Sequence, residues 1–211
     1  MLEQSLSRAN AAKRRGRSEY NQKSVLKIAV DVFNKHGFEA TSMAFLADNL
    51  GISKSAIYHH VPSKGDLLRL SLGRALDGLE AILTEPGACQ GRADDRLEYV
   101  LRRTVDVMVD ELPFVTLLLR VRGNTEIERV AMTRRREFNS RVTKLVETAS
   151  TEGSIRSDID PAITSRLLFG TINSIVDWYR PQGAITAAKL ADDLITMTFD
   201  GLRLPVAARA S

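Results

Sequence analysis

A single cysteine, Cys89, stands among the 211 residues, which excludes an internal disulfide and a Cys-rich metal site and predicts a reducing compartment. No apolar run approaches the ~18 residues of a membrane span. The first twenty residues hold Lys13, Arg14, Arg15 and Arg17 without an apolar segment of the signal-peptide kind. The chain is therefore read as neither secreted nor membrane-spanning, and as cytoplasmic. β signals are equally scarce: there is no convincing period-2 alternation and no Asn-Gly or Asp-Gly hairpin between strand-like runs. Enzyme signatures are missing too, with no Gly-rich phosphate loop, no G-x-S-x-G elbow and no His-Glu-x-x-His. His59 and His60 are adjacent, hence about 100° apart on a helix, and make a poor metal pair. No catalytic residue, cofactor or metal is expected.

What is present, 44% hydrophobic and 27% charged residues, excludes disorder along the whole chain and suffices for a sizeable core. Charge is unevenly placed. Residues 1–70 carry 11 Lys or Arg against 6 Asp or Glu, while residues 71–211 carry 19 against 20. A basic front third on a near-neutral remainder suggests a polyanionic partner for one part and another task for the rest.

The periodicity is helical throughout, predicting an all-α fold. Residues 1–17 read as a basic flexible arm. A first helix is predicted over 18–36, with Val25, Ile28, Ala29, Val32, Phe33 and His36 on one stripe and Gly37 as its stop. A short helix follows Thr41 or Ser42 and carries Met43, Leu46, Ala47 and Leu50. After Gly51-Ile52-Ser53 a third runs from Lys54 to about His60, and Ser63 with Asp66 reads as a capping box opening a fourth towards Leu83. Beyond a connection at Pro86, Gly87, Cys89 and Gly91, further helices are predicted through Leu97–Leu112, from Pro113 to about Arg122, over 125–151, from Pro161 to Arg180, and over 186–204.

Two short helices joined at Gly51 and braced by a longer amphipathic one form a helix-turn-helix pattern. The second needs an apolar face to hold it, Ile52 and Ile57, and a polar face that enters a groove, Lys54, Ser55, Tyr58 and His59. The stretch Val25 to Leu68 closely resembles the DNA-binding domain of the TetR family of bacterial transcriptional regulators. The resemblance is carried by A-x-x-x-F-x-x-x-G-F-x-A-T-S (Ala29 to Ser42), L-A-x-x-L-G-I-S (Leu46 to Ser53) and I-Y-H-H-x-P-S-K (Ile57 to Lys64). Departures are Phe45 in place of an acidic residue, Ser55 in place of glycine, Val61 in place of an aromatic and Gly65 in place of glutamate.

The resemblance implies an N-terminal three-helix DNA-binding domain over 18–68 and a C-terminal helical domain over 69–211 for ligand binding and dimerisation. It implies phosphate contacts from Thr41 and Ser42, a major-groove set of Lys54, Ser55, Ala56 and Tyr58, and flanking phosphate contacts from His59 and Lys64. Arg14, Arg15 and Arg17 are suited to the DNA backbone or minor groove, or serve as solubilising charge. The implied protein is a homodimeric repressor of a near-palindromic double-stranded DNA operator, associated with the bacterial nucleoid and released by a small-molecule effector. Activator behaviour and a different effector, a hydrophobic drug or metabolite, are the alternatives, and an all-α enzyme is the alternative from another class, against which the missing signatures count. Leu167, Ile175 and Tyr179 on one late helix, and Leu190, Leu194, Met197 and Leu202 on the other, are the expected dimer elements.

For the effector, Arg120, Arg122, Arg134 and Arg135 lie on or beside apolar stripes, where an arginine needs an anionic partner. That partner is either an internal carboxylate such as Glu98, Asp106 or Glu137, or a bound anion. Asn173 and Asp177 interrupt the apolar helix that carries Phe169 and Trp178, and form either a pocket wall or an interhelical pair. With Met108, Phe114 and Phe138 these residues make up the expected effector site. Asp177 to Gly183 also resembles a W-Y-R-P-x-G stretch of TetR-family regulators that sense acyl-coenzyme A thioesters, which implies such an effector, phenylacetyl-coenzyme A being one candidate.

Overall fold

The computed structural model describes residues 22–202, the last of these by its backbone only. Every regular element among them is helical: α1 Gln22–His36, α2 Met43–Leu50, α3 Lys54–His60, α4 Lys64–Ile82, α5 Pro86–Cys89, α6 Ala93–Asp110, α7 Leu112–Arg120, α8 Glu126–Thr151, α9 Pro161–Asn173, α10 Ile175–Trp178 and α11 Ala187–Leu202. They fall into two compact units, divided inside α4 between Ser71 and Leu72.

In the N-terminal unit, local chemistry sets each boundary. Ser42 caps α2 by accepting the Phe45 N–H at 3.1 Å. Gly51 ends the helix at φ 65°, a left-handed conformation that favours glycine, while Ile52 N–H returns to the Ala47 carbonyl at 3.1 Å. Two residues later Ser53 caps α3, accepting from Ala56 N–H at 3.2 Å. Ser63 and Asp66 form the reciprocal box at the start of α4, with Asp66 N–H on Ser63 Oγ at 3.0 Å. The hydrogen bond from Ser63, then those from Arg69, hold the Asp66 carboxyl below its ordinary range. Val25, Ala29, Phe33, Leu46, Leu50, Ile57, Val61, Leu67 and Leu68 are buried as the core.

The C-terminal unit is built around α6, whose Leu97, Val100, Leu101, Val105 and Met108 are buried. Helices α5, α8 and α11 pack on it, and α9 packs on α8. Gly87 in α5 sits against the Tyr99 ring so closely that a Cβ would lie 2.5 Å from it. Two elements differ from expectation. The connection at Pro86 is itself a helical turn, α5, with proline at its first position, where the missing N–H costs nothing. The single helix expected from Pro161 to Arg180 breaks at Ser174. There the Ser174 hydroxyl donates to the Thr171 carbonyl at 2.7 Å and Thr171 donates to Leu167 at 3.0 Å, side-chain bonds that compete with the helical ladder.

Candidate DNA interface and effector cavity

Helix α3 has one face held and one face free. Ile57 is fully buried, whereas Lys54, Ser55 and His59 are exposed and Tyr58 is 46% exposed; Ala56 is half-buried between the two faces. Four of the five side chains expected to reach DNA from α3 thus project from a helix pinned by a single apolar anchor and a serine cap. Ser42 is exposed at the start of α2, where backbone N–H groups and the helix dipole suit a phosphate. Phe45, exposed next to it, stacks edge-on against His36 at 5.2 Å.

One expected phosphate contact is corrected, and a second has a partner within the unit. Thr41 is buried, and its hydroxyl donates to the Gly37 carbonyl at 2.7 Å, so it closes the turn after α1. Lys64 directs its ammonium to the Phe38 carbonyl at 2.9 Å and over the Phe38 ring at 4.2 Å. The carbonyls at a helix end lack intrahelical donors, and a lysine there satisfies them. Both residues therefore position α2 and α4 from within the unit. Arg14, Arg15 and Arg17 lie outside the described residues.

The C-terminal unit holds a cavity of about 570 Å³, within the ordinary range of small-molecule sites. Of the residues expected at an effector site, Met108, Arg120, Arg135, Phe138, Phe169, Asn173 and Asp177 line it. Four other expected members do not. Phe114 is buried under the Arg74 guanidinium, which lies 4.6 Å above its ring. The Arg122 side chain is exposed, while its backbone N–H joins those of Gly123 and Asn124 on the buried Glu128 carboxylate. Trp178 is exposed just past the break at Ser174.

Arg134, the fourth, donates to Glu80 at 2.8 and 2.6 Å and to Asp77 at 2.6 Å. These bonds, Glu80 first, hold its guanidinium above its ordinary pKa. The internal-carboxylate alternative is correct for Arg134, but through acids of α4. Glu98 and Asp106 pair with Arg102 and Arg103 instead.

Sequence reasoning missed the contributions of Leu79 from α4, Thr104 from α6, Thr116 and Leu119 from α7, and Asn139 from α8. Thr104 and Asn139 stand four residues from Met108 and Arg135, the helical spacing that puts side chains on one face, and so were within reach of periodicity.

Of the expected dimer elements, Leu167 and Met197 are 63% and 65% exposed, and Ile163 joins them at 51%. Ile175, Tyr179, Leu190 and Leu194 are buried within the chain, so they belong to its own core and not to a surface awaiting a partner. The Leu202 side chain lies outside the described residues. No group of three or more His, Cys, Asp or Glu among the described residues is placed to hold a metal ion, and no described helix is long and apolar enough to cross a membrane.

Comparison with known proteins adds an independent line. Residues 25–70 match the bacterial regulatory proteins of the tetR family, and residues 90–202 match the tetracyclin repressor-like C-terminal domain. The chain is 28% identical over 185 residues to the HTH-type transcriptional repressor KstR2 of Rhodococcus jostii, covering 86% of this chain and 90% of that protein. A crystal structure of a TetR transcriptional regulator family member from Streptomyces coelicolor superposes with a TM-score of 0.80 at 50% identity, covering 85% of this chain and 91% of that one. The structure of AibR in complex with isovaleryl coenzyme A and operator DNA shares the fold, with a TM-score of 0.70 at 23% identity over 84% of this chain and 97% of that one. With an N-terminal helix-turn-helix unit, a C-terminal cavity-bearing helical unit and a family match to each, the chain belongs to the TetR family of bacterial transcriptional regulators.

Proposed function

We propose that the protein is a homodimeric transcriptional repressor that holds a near-palindromic operator through α3 and lets go when an effector fills the cavity of the C-terminal unit. The observation that carries this reading is the pairing in one chain of a polar recognition face on α3 with a mixed polar and apolar cavity in a separate unit. Lys54, Ser55 and Tyr58 read base edges in the major groove, while Ser42 and His59 meet phosphates. Two copies related by a two-fold axis place their recognition helices about one duplex turn, ~34 Å, apart. The exposed apolar face of Ile163, Leu167 and Met197 is the surface that the second copy covers.

The effector class we propose is an acyl-coenzyme A thioester. AibR, a neighbour in fold, has been crystallised with isovaleryl coenzyme A and operator DNA, and the relative from Rhodococcus jostii bears the name repressor. Release follows if the effector prefers the state that does not fit DNA, by roughly 5- to 150-fold in typical allosteric coupling. Gel-shift on DNA from upstream of its own gene, with and without a thioester panel, tests the reading. A specific complex dissolved by one thioester supports it. Failure to bind any upstream DNA specifically rejects the operator claim, and a complex indifferent to every thioester rejects the effector class.

A further inference from the structure

Arg134 and Arg135 are neighbours on α8 with opposite surroundings. Arg134 is closed off by Glu80 and Asp77, whereas Arg135 lies in the cavity wall with the Leu118 carbonyl as its acceptor at 3.2 Å. Among the described residues no Asp or Glu lies within ion-pair reach of Arg135; its close charged neighbour is another cation, Arg136. Burial, then Arg136, push the Arg135 guanidinium below its ordinary pKa, a direction that an anion in the cavity would reverse.

Apolar wall comes from Leu79, Met108, Leu118, Phe138 and Phe169, with Arg120, Asn139, Asn173 and Asp177 set among them. A half-buried guanidinium against such walls is unfavourable until an anion meets it, and its planar fork matches a carboxylate in two parallel hydrogen bonds. In a plain acyl-coenzyme A the thioester carbonyl is neutral and the phosphates are a pantetheine arm away, so an acyl group seated among these apolar side chains would bring no anion to Arg135.

We infer that the ligand of this cavity presents a carboxylate to Arg135 from within an apolar body, either as a free carboxylic acid or as the second carboxyl group of an acyl chain whose first is thioesterified. The inference rests on the cavity being the effector site; its ω-carboxy arm narrows the thioester class proposed above, and its free-acid arm replaces that class.

Calorimetry on the full chain tests it without DNA. The probes are medium-chain monocarboxylates, their methyl esters, the matching acyl-coenzyme A thioesters, ω-carboxyacyl-coenzyme A thioesters and coenzyme A alone. The free acid or the ω-carboxy thioester is expected to bind roughly 10- to 100-fold more tightly than the methyl ester or plain thioester, as expected for a charged hydrogen-bonded pair. Whichever of the two binds identifies the source of the carboxylate. Arg135→Gln should abolish the preference and Arg135→Lys should keep part of it. Because the acid and ester comparison is made on the wild-type protein, a poorly folded variant does not blunt the test.

Equal affinity for acid and ester, unchanged preference in Arg135→Gln, binding governed by coenzyme A alone, or no carboxylate-dependent binding across the panel would each overturn the inference. Gel-shift separates the two claims. A plain thioester that releases DNA without needing Arg135 keeps the repressor reading and removes this one; a carboxylate that binds through Arg135 and leaves the operator complex intact does the reverse.

Discussion

The two units solve opposite problems with the same kind of helix. In the N-terminal unit the chemistry points outward: one buried residue, Ile57, anchors α3 and its other face is offered to a partner. In the C-terminal unit the chemistry points inward, towards a cavity whose lining comes from α4, α6, α7, α8, α9 and α10. An outward site needs only local order, so a short motif specifies it. An inward site exists only after distant helices have packed, so its members are scattered through the chain and its electrostatics depend on which pairs meet.

The contrast predicts that single substitutions separate the two roles cleanly. The largest effect belongs to Tyr58→Ala, which removes an exposed side chain from α3. Operator affinity should drop roughly 10- to 100-fold, as for loss of a base contact, while the thermal midpoint and ligand binding stay put. A variant that binds DNA normally would break the assignment of the exposed face of α3.

Next, Gly87→Ala acts only on the inward unit. Its Cβ would lie 2.5 Å from the Tyr99 ring, and Tyr99 is tethered through its hydroxyl to Glu85 at 2.6 Å, so the ring cannot swing aside freely. A loss of about 1 to 3 kcal/mol is expected by calorimetry, with operator binding below the melting range unaffected.

Lys64→Met sharpens the boundary between contact and support. A phosphate contact contributes about 0.9 to the slope of log affinity against log salt, whereas a clamp on the Phe38 carbonyl contributes nothing to it. The expectation is a three- to tenfold weaker operator complex, about 1 kcal/mol, with the salt slope preserved. A slope reduced by about one would restore Lys64 to the DNA contacts.

The smallest effect is one of pH. Hydrogen bonds from Arg103 and then Tyr99 hold the Glu85 carboxyl below its ordinary range. A depressed carboxyl stabilises the fold above its unfolded pKa, and that contribution disappears as pH falls through its folded value. Acidification should therefore cost the wild type more than Glu85→Gln, by about 1 to 3 °C in Tm, the size being limited by solvent screening of this partly exposed group.

The same division explains how much of the molecule was legible in its sequence. The limits of α2 and α3, Met43–Leu50 and Lys54–His60, were readable because Ser42, Gly51 and Ser53 cap them through bonds to residues three to five positions away. The partner of Arg134 was not, because Glu80 is 54 positions distant and only packing brings the two together. Thr41 looks like a DNA contact by residue type, yet the Gly37 carbonyl at the end of α1 claims its hydroxyl, and Lys64 finds the Phe38 carbonyl 26 positions away. Apolar stripes on α9 and α11 are evident in the sequence, but α9 also carries Ile163 and Leu167 on an outer face and α11 carries Met197 there. Periodicity marks the stripe without saying whether the chain covers it, and Leu190 and Leu194 prove to be covered by the chain itself.

The central claim is that occupancy of the inward cavity and engagement of DNA by the outward face exclude each other. Linkage makes this directly measurable: ligand affinity is determined by calorimetry for the free protein and for the protein saturated with operator. The result expected is at least tenfold weaker ligand binding in the DNA complex, matched by the same factor of weaker operator binding when ligand is saturating. Equal ligand affinity with and without operator would contradict it, leaving a DNA-binding unit and a ligand-binding unit that share a chain without communicating.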